Sequence, residues 1–589
     1  MLKKFFIAVC GTITGVWISV CLLVLVGIMV AGSLVAKNGS ETVVNDNSLL
    51  YLDLSGEVFE HEQDSDWITM LQEGVSDSPT LADMLNSLKR AASDSKIKAV
   101  FINAGGSAMG QAQREELLKA IREFKKSGKA VYAYADSYAQ GDYLVASAAD
   151  YIYMNPVGLL DVHGIGATVP FFTGLLDKLG IKVQVVKVGS FKSAVEPYIL
   201  TQMSDSARLQ TRQFVDTIWN FYAESVADNR GLTPRAVNGW ADSLIMTWSS
   251  GKVLESKAVT ALKYRRQVED ELRKLCGKKA DENLPLVTPS EYMAFYAGEY
   301  AKSGSDHVAV LFAEGDIVDS GKGGIVADRM VPEILDLADD EHVKGLVFRV
   351  NSGGGSAFAS EQIWDALEYF KSKDKPVYVS MGDYAASGGY YISCGADRIW
   401  ADRTTLTGSI GVFGLIPDFS GLVSGKLAVT FSRVESGPNG NFLSVTQAMT
   451  PEQRQGMQHF VENTYSVFVN RVSEGRNIPE EDVRRIAEGR VWIGGKALQL
   501  GLVDEIGGLE DALSAMLKKC GLDRYDYRMY PEVEEDFMRR IIRESGNLSA
   551  LQQGALHFDA ESLRCLMLVE RLRTQNPVQA RMPELNVEY

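Results

Sequence analysis

The chain has 589 residues, 46% of them hydrophobic and 23% charged, enough apolar material for more than one buried core. Its formal net charge of -16 argues against a nucleic-acid surface, which needs a basic stripe. Of six cysteines, Cys10 and Cys21 fall in an apolar N-terminal stretch and the others are widely scattered, so neither a disulfide framework nor a zinc-ligand spacing is present.

After Lys3 and Lys4, the stretch Phe5 to Ala31 carries no charged residue. It is long enough to span a bilayer and longer than the h-region of a cleaved signal peptide, about 7–15 residues. We expect residues 1–35 to be an uncleaved anchor with one transmembrane helix. Positive charge before the span and acidic residues after it set the bulk of the chain outside, which in a bacterium is the periplasmic face of the inner membrane. A polar linker over 36–47 follows.

Beyond the linker the chain repeats itself. Glu116 to Tyr132 matches Gln362 to Tyr378 at a shift of 246, with Ala, Phe, both Lys, Val and Tyr coinciding. Ala149-Asp150-Tyr-Ile152 matches Ala396-Asp397-Arg-Ile399, and Met203 to Arg230 resembles Met449 to Arg476. Short apolar runs followed by amphipathic helices, such as Val343 to Val350 and then Ser360 to Lys371, point to βα units around a buried sheet. Thr450-Pro-Glu-Gln is a helix start within a helix-rich arm. The expected division is a first repeat over 48–303, a second over 304–530, and a tail over 531–589 of peripheral helices or partial disorder.

Chemistry concentrates in the second repeat. The apolar run Pro376 to Ser380 leads to Met381-Gly-Asp-Tyr-Ala-Ala-Ser387-Gly-Gly-Tyr-Tyr391, a serine at a strand-to-helix turn, where backbone N–H groups can stabilise an oxyanion. Asn351-Ser-Gly-Gly-Gly-Ser356 after Gly345 to Val350 is a second source of such donors, although three glycines alone are more often just a turn. That loop lacks the Lys-Ser/Thr of a phosphate loop and the dinucleotide spacing. None of His61, His163, His307, His342, His459 and His557 stands in a catalytic motif, and no His-Glu-x-x-His is present. A lysine base remains, as in Ser-Lys variants of the serine template. We expect neither metal nor cofactor.

Val188-Gly-Ser-Phe-Lys192-Ser-Ala-Val-Glu-Pro-Tyr198, Ala385-Ala-Ser387-Gly-Gly-Tyr-Tyr391 and Leu406-Thr-Gly-Ser409-Ile-Gly-Val412 together resemble the long form of the signal peptide peptidase A family, peptidase family S49. The resemblance covers both halves and the anchor. It implies an α/β fold of tandem ClpP/crotonase-like ββα domains with helical arms, Ser387 as nucleophile, Lys192 as general base, and Ser409 orienting the lysine. It also implies an oxyanion hole from Gly388 plus Gly354 or Gly355, cleaved signal peptides and other extended apolar peptides as substrates, and a homotetramer. One departure is Gly353, where the family has proline, which loosens the loop.

The repeats can be compared without that resemblance. Aligned on Ala149-Asp150 and Ala396-Asp397, Ser387 falls opposite Gln140, while Val434 to Gly440, matching the region of Lys192, holds no lysine. Each half lacks what the other has, as expected of one dyad assembled from two halves. Two other readings stay open: acyl-CoA chemistry on a crotonase-type fold, and a membrane scaffold that has lost activity.

Overall fold

The computed structural model describes residues 44–62, 80–300, 304–321, 323–532, 578–582 and 586–588. The apolar stretch 5–31 lies outside the described residues. Among the described residues no helix is long and apolar enough to cross a membrane.

The first half is built on β1 (Ser48–Gly56), α1 (Leu81–Ala91), β2 (Ile97–Ser107), α2 (Gln111–Lys125), β3 (Val131–Ala135), α3 (Gln140–Ala146) and β4 (Tyr151–Met154). Its strands form a parallel sheet in the order 261–262, β4, β3, β2, β1, 286–287. β5 (Lys182–Lys187) and the 26-residue helix α4 (Asp205–Arg230) follow.

The second half contains β6 (His307–Glu314), β7 (Ile317–Val318), β8 (Val343–Ser352), β9 (Gly354–Ser356), α5 (Ala357–Ser372), β10 (Val377–Ala386), α6 (Gly388–Tyr391), β11 (Arg398–Ala401), β12 (Leu406–Gly408), β13 (Phe413–Asp418), α7 (Pro451–Arg476), β14 (Val491–Ile493) and α8 (Leu509–Cys520). Its main strands lie in the order 505–506, β11, β10, β8, β6, 527–530, again all parallel. That order matches the first sheet strand for strand, so the repeat is structural as well as sequential. Residues buried on both faces make these strands continuous apolar runs, as parallel sheets require. The arm helix α7, like α4, has 26 residues, and Thr450 caps it reciprocally with Gln453.

A third sheet joins the halves and carries the site: 325–326, β7, β9, β15 (Val578–Arg581), β13, β5. The first-half strand β5 pairs antiparallel with β13 over Lys182–Lys187 and Phe413–Asp418. For the tail the sequence suggests peripheral helices or partial disorder. Residues 578–581 instead form a strand between β9 and β13, because both neighbours present unpaired edges to it; most of the remaining tail lies outside the described residues.

The halves also meet through buried charge. Arg349 on β8, fully buried, donates to Glu60 at 2.9 Å and to Glu116 at 2.5 Å, both from the first half, and to Ser380 Oγ at 2.9 Å. The two carboxylates hold the guanidinium firmly protonated.

Candidate active site

β10 is buried up to Ala386 and ends at Ser387, whose backbone takes φ 56° and ψ -113°. A serine held there costs on the order of 1–3 kcal/mol, a strain the surroundings must enforce. They do so through Ser387 N–H donating to Gly408 O at 2.7 Å and Tyr391 N–H donating to Ser387 O at 2.8 Å. The result is a sharp strand-to-helix turn that projects the hydroxyl beyond the sheet end.

Lys192 reaches this hydroxyl from the other half, on the loop that follows β5. Its Nζ is 2.6 Å from Ser387 Oγ, 3.1 Å from Ser409 Oγ and 3.1 Å from Ser409 O. Lys192, Ser387 and Ser409 are all fully buried. Burial drives the lysine pKa well below its ordinary value, because an ammonium there loses its hydration. Ser409 Oγ donates onward to Gly489 O at 3.2 Å.

Valence fixes the direction of these bonds for a neutral amine, which has two N–H donors and one lone pair. Ser409 O can only accept, and Ser409 Oγ has given its proton to Gly489 O. Both N–H donors are thereby directed at Ser409, and the lone pair is left for the Ser387 hydroxyl.

Several residues that build the site carried no sequence signal. Gly489 and Gly411 make room for Lys192: a methyl on Gly489 would come 2.6 Å from Lys192 Cβ, and one on Gly411 would come 3.3 Å from its Cδ. Gln210 on α4, nearly fully buried, donates to Ser193 Oγ at 3.0 Å and accepts from Val491 N–H at 3.2 Å, tying the lysine loop to β14. A glutamine in an amphipathic helix looks like surface, so only the packing reveals it.

The glycine loop backs onto Ser387. Gly354 has φ +103°, and a methyl there would lie 2.7 Å from Gly388 N, while a methyl on Gly388 would lie 3.1 Å from Gly355 N. Gly354 N–H donates to Ser352 Oγ at 3.1 Å, and Ser352 O–H donates to Gly315 O at 2.6 Å. Gly353, with open space around it, faces the tail, its carbonyl accepting from Met582 N–H at 2.7 Å.

In the first half, Gln140 stands at the matching turn. It accepts from His163 N–H at 2.8 Å and Gly164 N–H at 3.0 Å and donates to Gly164 O at 2.8 Å, so an amide ties the turn down where the second half has a hydroxyl.

Residues 123–279 and 369–523 both match the family model described as peptidase family S49, and residues 302–408 match the Clp protease model. Protease 4 of Salmonella typhi is 35% identical over 510 residues, spanning 83% of this chain and 82% of its own length. Protease 4 of Haemophilus influenzae is 35% identical, spanning 73% of this chain and 72% of its own. A candidate signal peptide peptidase, SppA, of Enterococcus faecium is 36% identical over 218 residues, 36% of this chain and 63% of its own.

Proposed function

The chain belongs to peptidase family S49 and is a serine protease, and from that premise we propose that Ser387 is its nucleophile and Lys192 its general base. The observation that carries this reading is the 2.6 Å approach of Lys192 Nζ to Ser387 Oγ in a site without solvent exposure. As Ser387 Oγ attacks a peptide carbonyl, its proton passes to the lysine lone pair. Ser409 orients the amine and accepts hydrogen bonds that strengthen as the ammonium forms. The collapsing intermediate expels the amine, which takes the proton back from Lys192. Water then attacks the acyl-enzyme, with Lys192 again as base.

The carbonyl oxygen gains negative charge during attack. Gly388 N–H is one donor for it, and Gly355 N–H is the better second, since Gly354 N–H already bonds Ser352 Oγ. Each such donor contributes about 3–4 kcal/mol in measured cases.

The substrates we infer are extended peptides, among them cleaved signal peptides, because β9 and β13 stand one strand apart beside Ser387 and both pair with an extended segment, here β15 of the tail. Two further parts of the reading are anchoring at the outer face of the inner membrane, supported by the uncharged apolar stretch 5–31, and assembly as a homotetramer, supported by the family resemblance alone. The test of the chemistry compares hydrolysis of a fluorogenic apolar peptide by the wild type, Ser387→Ala and Lys192→Ala. Loss of at least a thousandfold in each folded variant is expected. Undiminished hydrolysis by either would remove that residue from the mechanism.

A further inference from the structure

The strand β15 lies where a substrate would. It pairs with β9 on one side, Gly354 with Arg581, Gly355 with Ala580 and Ser356 with Gln579, and with β13 on the other, Phe413 with Gln579. Ala580 is fully buried, and its carbonyl oxygen sits beside the glycine amides: a methyl on Gly354 would come 2.1 Å from it, and one on Gly388 would come 3.0 Å from it. The tail therefore displays a register in which Ala580 supplies the carbonyl facing Ser387, and Arg581 and Met582 occupy the leaving-group side. Met582 fills an apolar recess with Phe214, Ala386, Leu406 and Val491.

Arg581 shows what the next position accepts. Its guanidinium nitrogen lies 2.9 and 3.1 Å from the two carboxylate oxygens of Asp316, which stands just before β7. To get there the arginine crosses β9, and β9 is glycine at that point. The Gly355 Cα lies so close to β7 that a methyl would come 2.0 Å from Ile317 O, so the side of the groove is bare backbone with a carboxylate at its far edge.

Resting on the Ser387 reading above, we propose that Asp316 is a specificity-determining residue that selects a basic side chain immediately after the scissile bond. The preferred peptide has a small residue before that bond, as at Ala580, and Arg or Lys behind it. Asp316 touches no reacting atom; it acts by binding the leaving segment and fixing its register. With the Asp316 side chain 46% exposed and Arg581 15% exposed, the pair is only partly desolvated. The discrimination it supports is about fivefold, and salt screens it.

The test uses the full chain and two quenched peptides, Val-Gln-Ala-Arg-Met-Pro and the same sequence with Glu for Arg, with products identified by mass. The readout is the ratio of the two kcat/KM values within each protein, which a general loss of activity leaves unmoved. The wild type should favour the Arg peptide about fivefold at low salt and cut it between Ala and Arg. The ratio should approach one in 1 M salt or in Asp316→Asn, and should invert in Asp316→Arg. The same ratio in wild type and both variants, or cleavage at another bond, overturns the proposal. Hydrolysis that persists in Ser387→Ala would instead bring down the catalytic reading on which it rests.

Discussion

Gly489 backs directly onto Lys192: a methyl on the glycine would lie 2.6 Å from Lys192 Cβ and 2.8 Å from its Cα and Cδ. Gly489 also has φ +74°, a conformation that favours glycine. Gly489→Ala should therefore push the lysine off its line to Ser387. A displacement of about 1 Å in a reacting group costs on the order of 100-fold. The expected result is a drop of that size in kcat, with the fold retained by circular dichroism. Activity within threefold of the wild type would mean that the lysine loop absorbs the methyl.

The lowered pKa of Lys192 sets a pH profile. Below its folded pKa the amine is protonated and cannot take the Ser387 proton, so kcat/KM should rise with pH and level off well below the ordinary lysine value of about 10.4. Stability follows the same direction. The unfolded chain binds a proton that the folded site resists, so between the two pKa values stability rises with pH. A kcat/KM that climbs only above pH 10 would mean that burial does not lower the pKa of Lys192. Ser409→Ala should lower kcat by about tenfold, because the amine loses its Oγ acceptor and keeps only the backbone carbonyl of residue 409.

How much of this was legible in the sequence depended on what kind of constraint each residue obeys. Strands β8 and β10 and the arm helices α4 and α7 announced themselves because burial and capping act over neighbouring residues. The duplication was legible for the same reason, and the identical strand orders extend it to topology. Ser387 and Lys192 stood out because each is absent from the partner repeat. Their 2.6 Å contact was not readable, since it depends on β5 pairing with β13 across the halves. Gln210, Gly411 and Gly489 were invisible because their work is steric or passes through backbone atoms distant in sequence. The tail strand β15 was not legible for a further reason: it is set by the two open edges it fills, while the charged run Met538 to Arg543 lies outside the described residues.

Arg349 is the hub between the halves. With Glu60 at 2.9 Å and Glu116 at 2.5 Å, replacing it by methionine leaves two buried carboxylates without their cation. Removing one partner from a buried ion pair typically costs about 3–5 kcal/mol. Arg349→Met should lose that much in urea denaturation at pH 7. The triple variant Arg349→Met, Glu60→Gln, Glu116→Gln should recover part of it, because the stranded charges are gone. No recovery would assign the loss to packing of the arginine stem.

Asp383, four residues before Ser387, caps a helix of the other half. Its Oδ1 accepts from Ala112 N–H at 2.7 Å at the start of α2, where the cap residue Gly110 has no side chain to do so. Burial, reinforced by the charge of Glu60, raises its pKa to about 6. The folded pKa lies above the unfolded one, so the stabilisation from this carboxyl is complete below about pH 3.8 and is lost as pH rises through 6. Asparagine keeps an acceptor for Ala112 N–H and carries no charge. Asp383→Asn should therefore be more favourable at pH 8 than at pH 4 by about 2 kcal/mol, an order-of-magnitude figure from the size of the shift. Urea denaturation of both proteins at pH 4, 6 and 8 measures the difference. A substitution effect that stays constant across that range would mean that the carboxyl is already ionised at pH 4, held by the helix amides and Arg349 against the cost of burial.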